Sequence, residues 1–389
     1  MDKFRDKIFN AQVFERYLKT LPSTKENSLI KNGLFTVVNK YKAKMSEQSG
    51  GYAVVEPIKG RLGGDPDNYD GNTDITKGTE RKTFYQRKVC YGRAKAWGEY
   101  DFASDITGAN FKAEANEVKE YWDEQRQATV LAILKGIFGM TGGANGEFVE
   151  KHTYDISEDS VSTNLSADAL NRASQKALGD KKAKLDIIFM HSAVSTNLEG
   201  LNLINFLKYT DSEGIERDLT IGTFNGRLVI VDDEVQELSG YEEATSETAG
   251  ALKVVSGSPS EGQVKLSDVT GSDFYPEGVK ANDYVVPASK YVSYIFQKGF
   301  FEYEDIGAEV PSELVRNAYE KGGFTDLVTR VREMIVPMYI SYKGSGTVSP
   351  TNTNFATGSN WELVNDDDAI SKTYVNDKLI PVARIISRG

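Results

Sequence analysis

The sequence of 389 residues has very little cysteine and histidine, the residues from which many catalytic and metal sites are built. Cys90 is the only cysteine, so the chain cannot form an internal disulfide. With His152 and His191 as the only histidines, a zinc site of the Cys/His type is nearly excluded. Carboxylate-bound metal is still compatible with this composition.

Long apolar runs and an excess of positive charge are missing too. No stretch approaches the roughly 20 apolar residues that cross a bilayer, and the start MDKFRDKIFN lacks a signal-peptide core. The chain has 46 lysines and arginines against 57 acidic residues, a formal net charge of −11. Because a negative protein repels nucleic acid and anionic lipid, we predict neither a dedicated DNA-binding protein nor a membrane protein, and we expect a cytosolic location.

Motifs for phosphate binding and nucleophilic catalysis are missing as well. No GxGxxG follows a strand pattern, and GxxxxGK[ST] does not occur. His191 and Ser192 follow a predicted strand, but the G-x-S-x-G elbow is missing. We therefore interpret Ser192 as a helix cap and His191 as a satisfied polar residue, and we predict no catalytic residue and no cofactor.

One segment, DPDNYDGNTD (65–74), has the composition of a calcium loop. Its glycine falls one place late and the glutamate at the twelfth position is missing, so weak cation binding is only an alternative hypothesis. Metal-dependent hydrolysis by these acids is a second alternative. We interpret the run Asp366–Asp368 as a charged turn.

What the chain does contain is a series of structural elements. Residues 1–50 hold short amphipathic pieces that predict an arm packed on another surface, because they are too small for their own core. Residues 51–108 predict a long hairpin whose returning leg has strand-like alternation. Residues 111–140 predict a helix of about 45 Å. Its apolar stripe at 3/4 spacing comprises Val118, Trp122, Val130, Leu134, Ile137 and Phe138.

Charge is segregated within this hairpin. The tip is acidic through Asp65, Asp67, Asp70 and Asp74. Residues 77–95 carry seven basic residues against one acid, namely Lys77, Arg81, Lys82, Arg87, Lys88, Arg93 and Lys95. Opposite charge on two parts of one molecule favours docking on a second copy. A solvated hairpin with incidental charge clusters is the simpler alternative.

The second half of the chain predicts a layered α/β domain. A helix capped by Ser166 is followed by a buried strand at 185–190, a second helix at 192–208 and a hairpin turning at Asn225-Gly226. Residues 240–283 predict a surface β insertion, whose eight acids and three lysines give a charge of −5. Residues 327–342 predict a long strand with Pro337 at an edge or bulge.

Five segments of this half together resemble the HK97-fold major capsid proteins of tailed bacteriophages. They are LGDKKAKLDIIFMHSAVSTNLEGLNLI (178–204), TIGTFNGRLVIVDDEV (220–235), YIFQKGFFEYED (294–305), TRVREMIVPMYISY (329–342) and SPTNTNFATGSNWELVNDD (349–367). The resemblance implies an α+β, HK97-like capsid fold. Its parts would be an N-arm (1–50), an extended E-loop hairpin (51–108), a peripheral domain (109–160 and 311–344, with the spine helix at 111–140) and an axial α/β domain (161–310 and 345–389) carrying the small β insertion near 240–283.

The same resemblance implies a structural protein and not an enzyme. It would self-assemble into pentamers and hexamers of an icosahedral shell, enclosing double-stranded DNA without sequence-specific binding. Its partners would be further copies of itself, a separate scaffold protein, the portal and decoration proteins, with assembly in the host cytoplasm and a final place in the virion. Each E-loop would lie over a neighbour, so we expect the acidic tip and the seven basic residues to make intersubunit contacts. The alternative is an encapsulin-like compartment, the same fold around an enzyme cargo.

Overall fold

The computed structural model describes residues 33–47, 52–60, 62, 67–72, 74, 81–100, 111–158, 163–210, 216–320, 322–344, 348–368 and 371–389. These fall into two compact units. Unit 1 comprises Met1–Val149 and Lys298–Ile380, and unit 2 comprises Glu150–Gln297 and Pro381–Gly389.

Helices and strands occur in both units, which gives the α+β composition that the sequence predicts. The helices are α1 (Tyr41–Glu47), α2 (Phe111–Phe138), α3 (Gly143–His152), α4 (Ala167–Leu178), α5 (Ser192–Gly200), α6 (Leu266–Thr270) and α7 (Asn352–Ala356). The strands are β1 (Phe35–Val37), β2 (Ala53–Lys59), β3 (Thr83–Val89), β4 (Tyr91–Tyr100), β5 (Thr153–Asp155), β6 (Ile187–Met190), β7 (Ile204–Thr210), β8 (Glu216–Phe224), β9 (Arg227–Val231), β10 (Glu237–Ala244), β11 (Leu252–Val255), β12 (Gln263–Lys265), β13 (Tyr284–Phe296), β14 (Phe301–Asp305), β15 (Ser312–Asn317), β16 (Phe324–Pro337), β17 (Ile340–Tyr342), β18 (Trp361–Leu363) and β19 (Val382–Ser387).

Strand β16 is the centre of the main sheet of unit 1. It pairs with β4 along one edge and with β15 and then β14 along the other, and β1 runs parallel to β14. The long helix α2 packs on this sheet, where Trp122 donates a hydrogen bond from Nε1 to Thr329 Oγ1 at 3.1 Å. All six residues of the predicted apolar stripe are buried, so this prediction is confirmed. Pro337 ends β16, because proline has no N–H to continue the ladder.

Strand β13 is the centre of the large sheet of unit 2. It pairs with β6, β10, β11 and β19. On this sheet α4 begins after Ser166, whose Oγ accepts from the Ala169 N–H at 3.2 Å. The turn from β8 to β9 has positive φ at Asn225 (49°) and Gly226 (75°), the backbone of a type I′ hairpin turn. The predicted cap and turn are both confirmed.

The insertion in unit 2 has its own small core. Val254, Val264, Val269 and Val285 pack together beneath β11, β12 and α6. The β10–β13 ladder joins this insertion to the large sheet. The predicted surface β insertion therefore exists, although helix α6 occupies part of it.

Two local predictions are wrong. The helix expected at 192–208 ends at Gly200; residues 204–210 form β7, which pairs with β8 after a break at Asn202, where φ is 53°. The cap of this helix is His191 and not Ser192, because His191 Nδ1 accepts from the Ala193 N–H at 3.1 Å. In the first case pairing with β8 replaced the helix. In the second case the imidazole of His191 replaced the serine hydroxyl as the cap.

The division of the chain also differs from the expected domains. Residues 298–310 and 345–380, which we expected in the axial domain, lie in unit 1. The reason is strand pairing, since β14 pairs with β16 and β18 pairs with β17. In addition, α7 and Trp361 pack against α2 around Gly136.

Candidate intersubunit surface

The hairpin formed by β2 and β3 presents the acidic segment at the protein surface. The two strands pair over seven positions, from Ala53 opposite Val89 to Lys59 opposite Thr83, a ladder of about 20 Å. At the far end Arg81 Nε donates to the Gly60 carbonyl at 2.6 Å. Beyond it lies the tip, which we define as residues 67–74. Its described residues Asp67, Asp70 and Asp74 are exposed, and Tyr69 is 92% exposed.

Strand β3 is held against the rest of unit 1 along its length. The Tyr85 N–H donates to the Asn365 carbonyl at 2.8 Å, and Gln86 Nε2 donates to the Pro337 carbonyl at 2.9 Å. Closer to the tip, Lys82 Nζ donates to Thr373 Oγ1 at 2.6 Å. These contacts fix the direction in which the hairpin leaves the unit.

A buried ionic cluster lies at the base of the hairpin. Lys88 is only 4% exposed, and its Nζ lies 2.5 Å from Glu56 Oε2 and 3.0 Å from Glu302 Oε2. The Tyr41 hydroxyl accepts from Lys88 at 2.5 Å and donates to Glu302. On the outer side Lys40 Nζ lies 3.5 Å from the Glu56 carboxylate and 3.1 Å from the Glu302 carboxylate. The cluster therefore joins α1, both legs of the hairpin and β14.

The surroundings of these carboxylates keep them ionised. Burial by itself would raise the pKa of Glu56, but the hydrogen bond and charge of Lys88, helped by Lys40 and Lys44, lower it from 4.5 to about 2. The pKa of Glu302 is also lowered, because hydrogen bonds from Tyr41 and Lys88 outweigh its burial. Burial and the neighbouring Glu302 raise the pKa of Tyr41, which stays a neutral donor.

A second acid on β14 holds helix α1. Glu304 is buried, and its carboxylate accepts from the backbone N–H groups of Lys40, Tyr41 and Lys42 at 3.0, 2.7 and 2.9 Å. These donors have no partner within the helix, so a carboxylate at this end satisfies them and complements the helix dipole. The segment 33–47 is thus bound to the sheet of unit 1.

The sheet side of α2 has a comparable buried carboxylate. Glu333 is 3% exposed and accepts from Arg126 Nη2 at 2.6 Å, from the Tyr91 hydroxyl at 3.0 Å and from the Tyr303 hydroxyl at 3.0 Å. Arg126 also contacts Asp123 at 2.6 Å. This network connects the long helix to β4, β14 and β16.

The predicted contact residues fall into four groups, of which the exposed tip acids Asp67, Asp70 and Asp74 are the first. Asp65 and Lys77 lie outside the described residues. Lys88 is engaged within its own chain by the cluster described above. The remaining basic residues are exposed or half-buried, namely Arg81, Lys82, Arg87, Arg93 and Lys95. Whether the set contacts a neighbour stays a prediction.

The sequence reasoning missed the partners of Lys88. Glu56, Glu302 and Tyr41 come from three distant segments, and nothing in their spacing predicts that they meet. One signal was present in β14, where Glu302 and Glu304 interrupt the apolar run FFEYED. An acid on the buried face of such a strand needs a cationic or N–H partner.

Two other kinds of site, a reactive thiol and a bound metal, have no supporting geometry in the described residues. Cys90 is 3% exposed, and burial raises the pKa of its thiol. Within the described ranges, no group of three or more histidine, cysteine or acidic side chains is arranged to hold a metal ion. In the same ranges no helix is both long and apolar enough to span a membrane.

Comparison with known proteins identifies one similar curated protein. No protein-family model matches the chain. The major capsid protein of Bacillus phage SPP1 is 24% identical to it over 351 residues, which cover 90% of this chain and 90% of that protein. Neither an encapsulin-like compartment nor a hydrolase is supported by the relatives found.

The likeness to one solved structure confirms the predicted fold. The capsid asymmetric unit of cyanophage Pam1 superposes with a TM-score of 0.51 at 10% identity, over 95% of this chain and 94% of that one. The capsid of Ralstonia phage GP4 has a TM-score of 0.47 at 9% identity, over 92% and 87% of the two chains. Because the identity to the Pam1 protein is only 10%, this likeness shows the fold and nothing more.

Proposed function

We propose that this chain, which has a phage capsid fold and aligns over 90% of its length with a phage major capsid protein, is itself a major capsid protein. The observation that carries the proposal is the end-to-end correspondence of the alignment, which covers 90% of both proteins. The chain assembles into pentamers and hexamers of an icosahedral head that encloses double-stranded DNA. Its role is structural and not enzymatic.

The charge of the chain is compatible with this role. A shell confines DNA without binding it in a sequence-specific way, so a net charge of −11 does not conflict with DNA inside. Strong attraction between wall and DNA would even oppose packing. The protein would be found in the virion, after assembly in the host cytoplasm with a scaffold protein, a portal and decoration proteins.

Within the shell, the E-loop hairpin makes contacts between copies. Several residues of the predicted set are exposed, with Asp67, Asp70 and Asp74 at the tip and Lys82 and Lys95 behind it. We extend the same proposal to Asp65, Lys77, Arg81, Arg87 and Arg93. Lys88 has a different task, because its buried cluster holds the base from which the hairpin projects.

The test is assembly of the purified chain. Sedimentation velocity and negative-stain imaging across a range of protein and salt concentrations, with and without a crowding polymer, are expected to show capsomers or closed shells. A chain that stays monomeric under all these conditions would contradict the proposal.

Particle contents separate the head from a cellular compartment. Particles purified from cells that produce the phage are expected to hold nuclease-protected double-stranded DNA. Particles that instead hold a folded enzyme, with no protected DNA, would favour the encapsulin-like alternative.

A further inference from the structure

A groove of about 590 Å³ lies in unit 1 beside the base of the hairpin. Three arginines line it, Arg93 from β4 and both Arg330 and Arg332 from β16. Apolar side chains, among them Met45 and Val348, form other parts of its wall. Among the described residues no aspartate or glutamate lines the groove, although acids outnumber basic residues in the whole chain.

Two of these guanidinium groups form no ion pair with a carboxylate of the described residues. Arg93 donates to the carbonyl oxygens of Gly92 and Pro350 at 3.0 and 2.8 Å and to Asn352 Oδ1 at 3.2 Å. Arg332 is exposed and makes no ion pair with a described carboxylate. Arg330, by contrast, is paired with Glu313. The groove therefore has two guanidinium groups that no described carboxylate pairs directly.

Arg93 is the more informative of the two. It is half-buried, and this burial lowers the pKa of its guanidinium. Its hydrogen-bond acceptors are neutral, and the charge of Glu333 offsets its burial only in part, so an incoming anion would offset more of the remaining cost. A surface lysine in open water has no such desolvation cost for an anion to offset.

The hairpin tip has the complementary features. Its exposed aspartates flank Tyr69, an aromatic ring that is 92% exposed. Val348 is 72% exposed and supplies apolar surface in the same groove as the arginines. We propose that the tip of one copy docks in this groove of a neighbouring copy, with its aspartates on Arg93 and Arg332 and Tyr69 on the apolar wall. This inference rests on the proposed function and names the receiving surface for the E-loop.

We assign the tip in the groove to a second copy, because the groove and the tip of one chain lie at opposite ends of the hairpin ladder. The groove includes Tyr52 and Cys90, which adjoin the base of the ladder, whereas the tip follows its far end about 20 Å away. The contact of Lys82 with Thr373 holds that far end on the unit's own surface. The acidic insertion at 240–283 is the competing occupant, which the experiment below separates.

The direct test is disulfide trapping between two different variants. One chain carries Asp70→Cys and the other Val348→Cys, both in a Cys90→Ala background because the native thiol also lines the groove. After co-assembly and mild oxidation, we expect a covalent dimer in the mixture and in neither variant alone. Tyr319→Cys replaces Val348→Cys in the matched control, since Tyr319 is 99% exposed and outside the groove.

Several outcomes would overturn the docking. One is well-formed shells in which no covalent dimer forms. Another is equal trapping of Asp70→Cys by the Tyr319→Cys control. A third is an internal disulfide, without dimers, when both substitutions are in one chain. Trapping of Val348→Cys by Glu261→Cys, in place of Asp70→Cys, would assign the groove to the insertion.

Charge exchange gives an independent readout. Arg332→Glu is expected to raise the protein concentration needed for assembly by about tenfold, and adding Asp70→Arg to the same chain is expected to restore most of the loss. Arg316→Glu, the same charge change on β15, is the control, and circular dichroism checks that each variant is folded. If the wild type never assembles, the proposed function fails. If the wild type and Arg332→Glu assemble at equal concentrations, only the docking fails.

Discussion

Replacing Lys88 with methionine is expected to destabilise unit 1, because it removes the cation between two carboxylates. The side chain of Lys88 is 3% exposed, whereas those of Glu56 and Glu302 are 24% and 29% exposed. Methionine keeps most of the buried volume, so the loss is mainly electrostatic. Tyr41 also loses the donor to its hydroxyl.

The magnitude follows from the burial of each group. Removing one partner of a fully buried ion pair costs about 3–5 kcal/mol. Here the carboxylates keep some contact with water, and Lys40 stays within 3.5 Å of both, so we expect a loss of roughly 2–4 kcal/mol in the free energy of unfolding. Lys44→Met is the matched control, since Lys44 is 43% exposed and contacts Glu56 at 3.4 Å. Its expected loss is below about 1 kcal/mol.

The assay is urea unfolding of the unassembled chain, followed by tryptophan fluorescence. All three tryptophans, Trp97, Trp122 and Trp361, belong to unit 1, so their emission reports on this unit. The pH dependence adds a second readout. Glu56 has a folded pKa of about 2, below its ordinary 4.5, so its stabilising contribution is full above 4.5 and is lost as the pH falls towards 2.

The pH dependence of stability is weaker in the variant. Without Lys88 the pKa of Glu56 is no longer depressed to the same extent, so the gap in stability between wild type and Lys88→Met narrows as the pH falls. A loss at neutral pH no larger than that of Lys44→Met would refute the reasoning. So would a gap that stays constant down to pH values near the folded pKa.

Three further changes test the packing of both units. Arg126→Met leaves the buried carboxylate of Glu333 without its cation and is expected to cost about 3–5 kcal/mol in the unfolding free energy, measured by the same urea titration. Gly136→Ala places a methyl group against the indole nitrogen of Trp361 and is expected to cost about 1–3 kcal/mol; a variant as stable as wild type would contradict this close approach. Ser166→Ala removes the cap of α4 and is expected to cost about 1 kcal/mol, seen as faster hydrogen exchange in the first turn, while Ser166→Asp should retain the protection.

Features that depend on neighbours along the chain could be predicted from the sequence. The 3/4 spacing of apolar residues located α2, and Ser166 marked the start of α4. Asn225-Gly226 marked a hairpin turn because both positions tolerate positive φ. Where a local preference competed with pairing, as at 204–210, the same reasoning was wrong, since the partner strand β8 is what makes this segment a strand.

The sequence by itself determined the class of fold, the charge-segregated hairpin and the scarcity of cysteine and histidine. Only the tertiary structure decided which of the basic residues are available to another molecule. Lys88 looks like its neighbours in the sequence, yet it is buried against Glu302, 214 residues away. Arg93 and Arg332, by contrast, come together in a groove whose described lining holds no acid. The physical reason is that helix caps, turns and periodicity depend on a few adjacent residues. The pairing of charges depends on which distant strands the sheet places side by side.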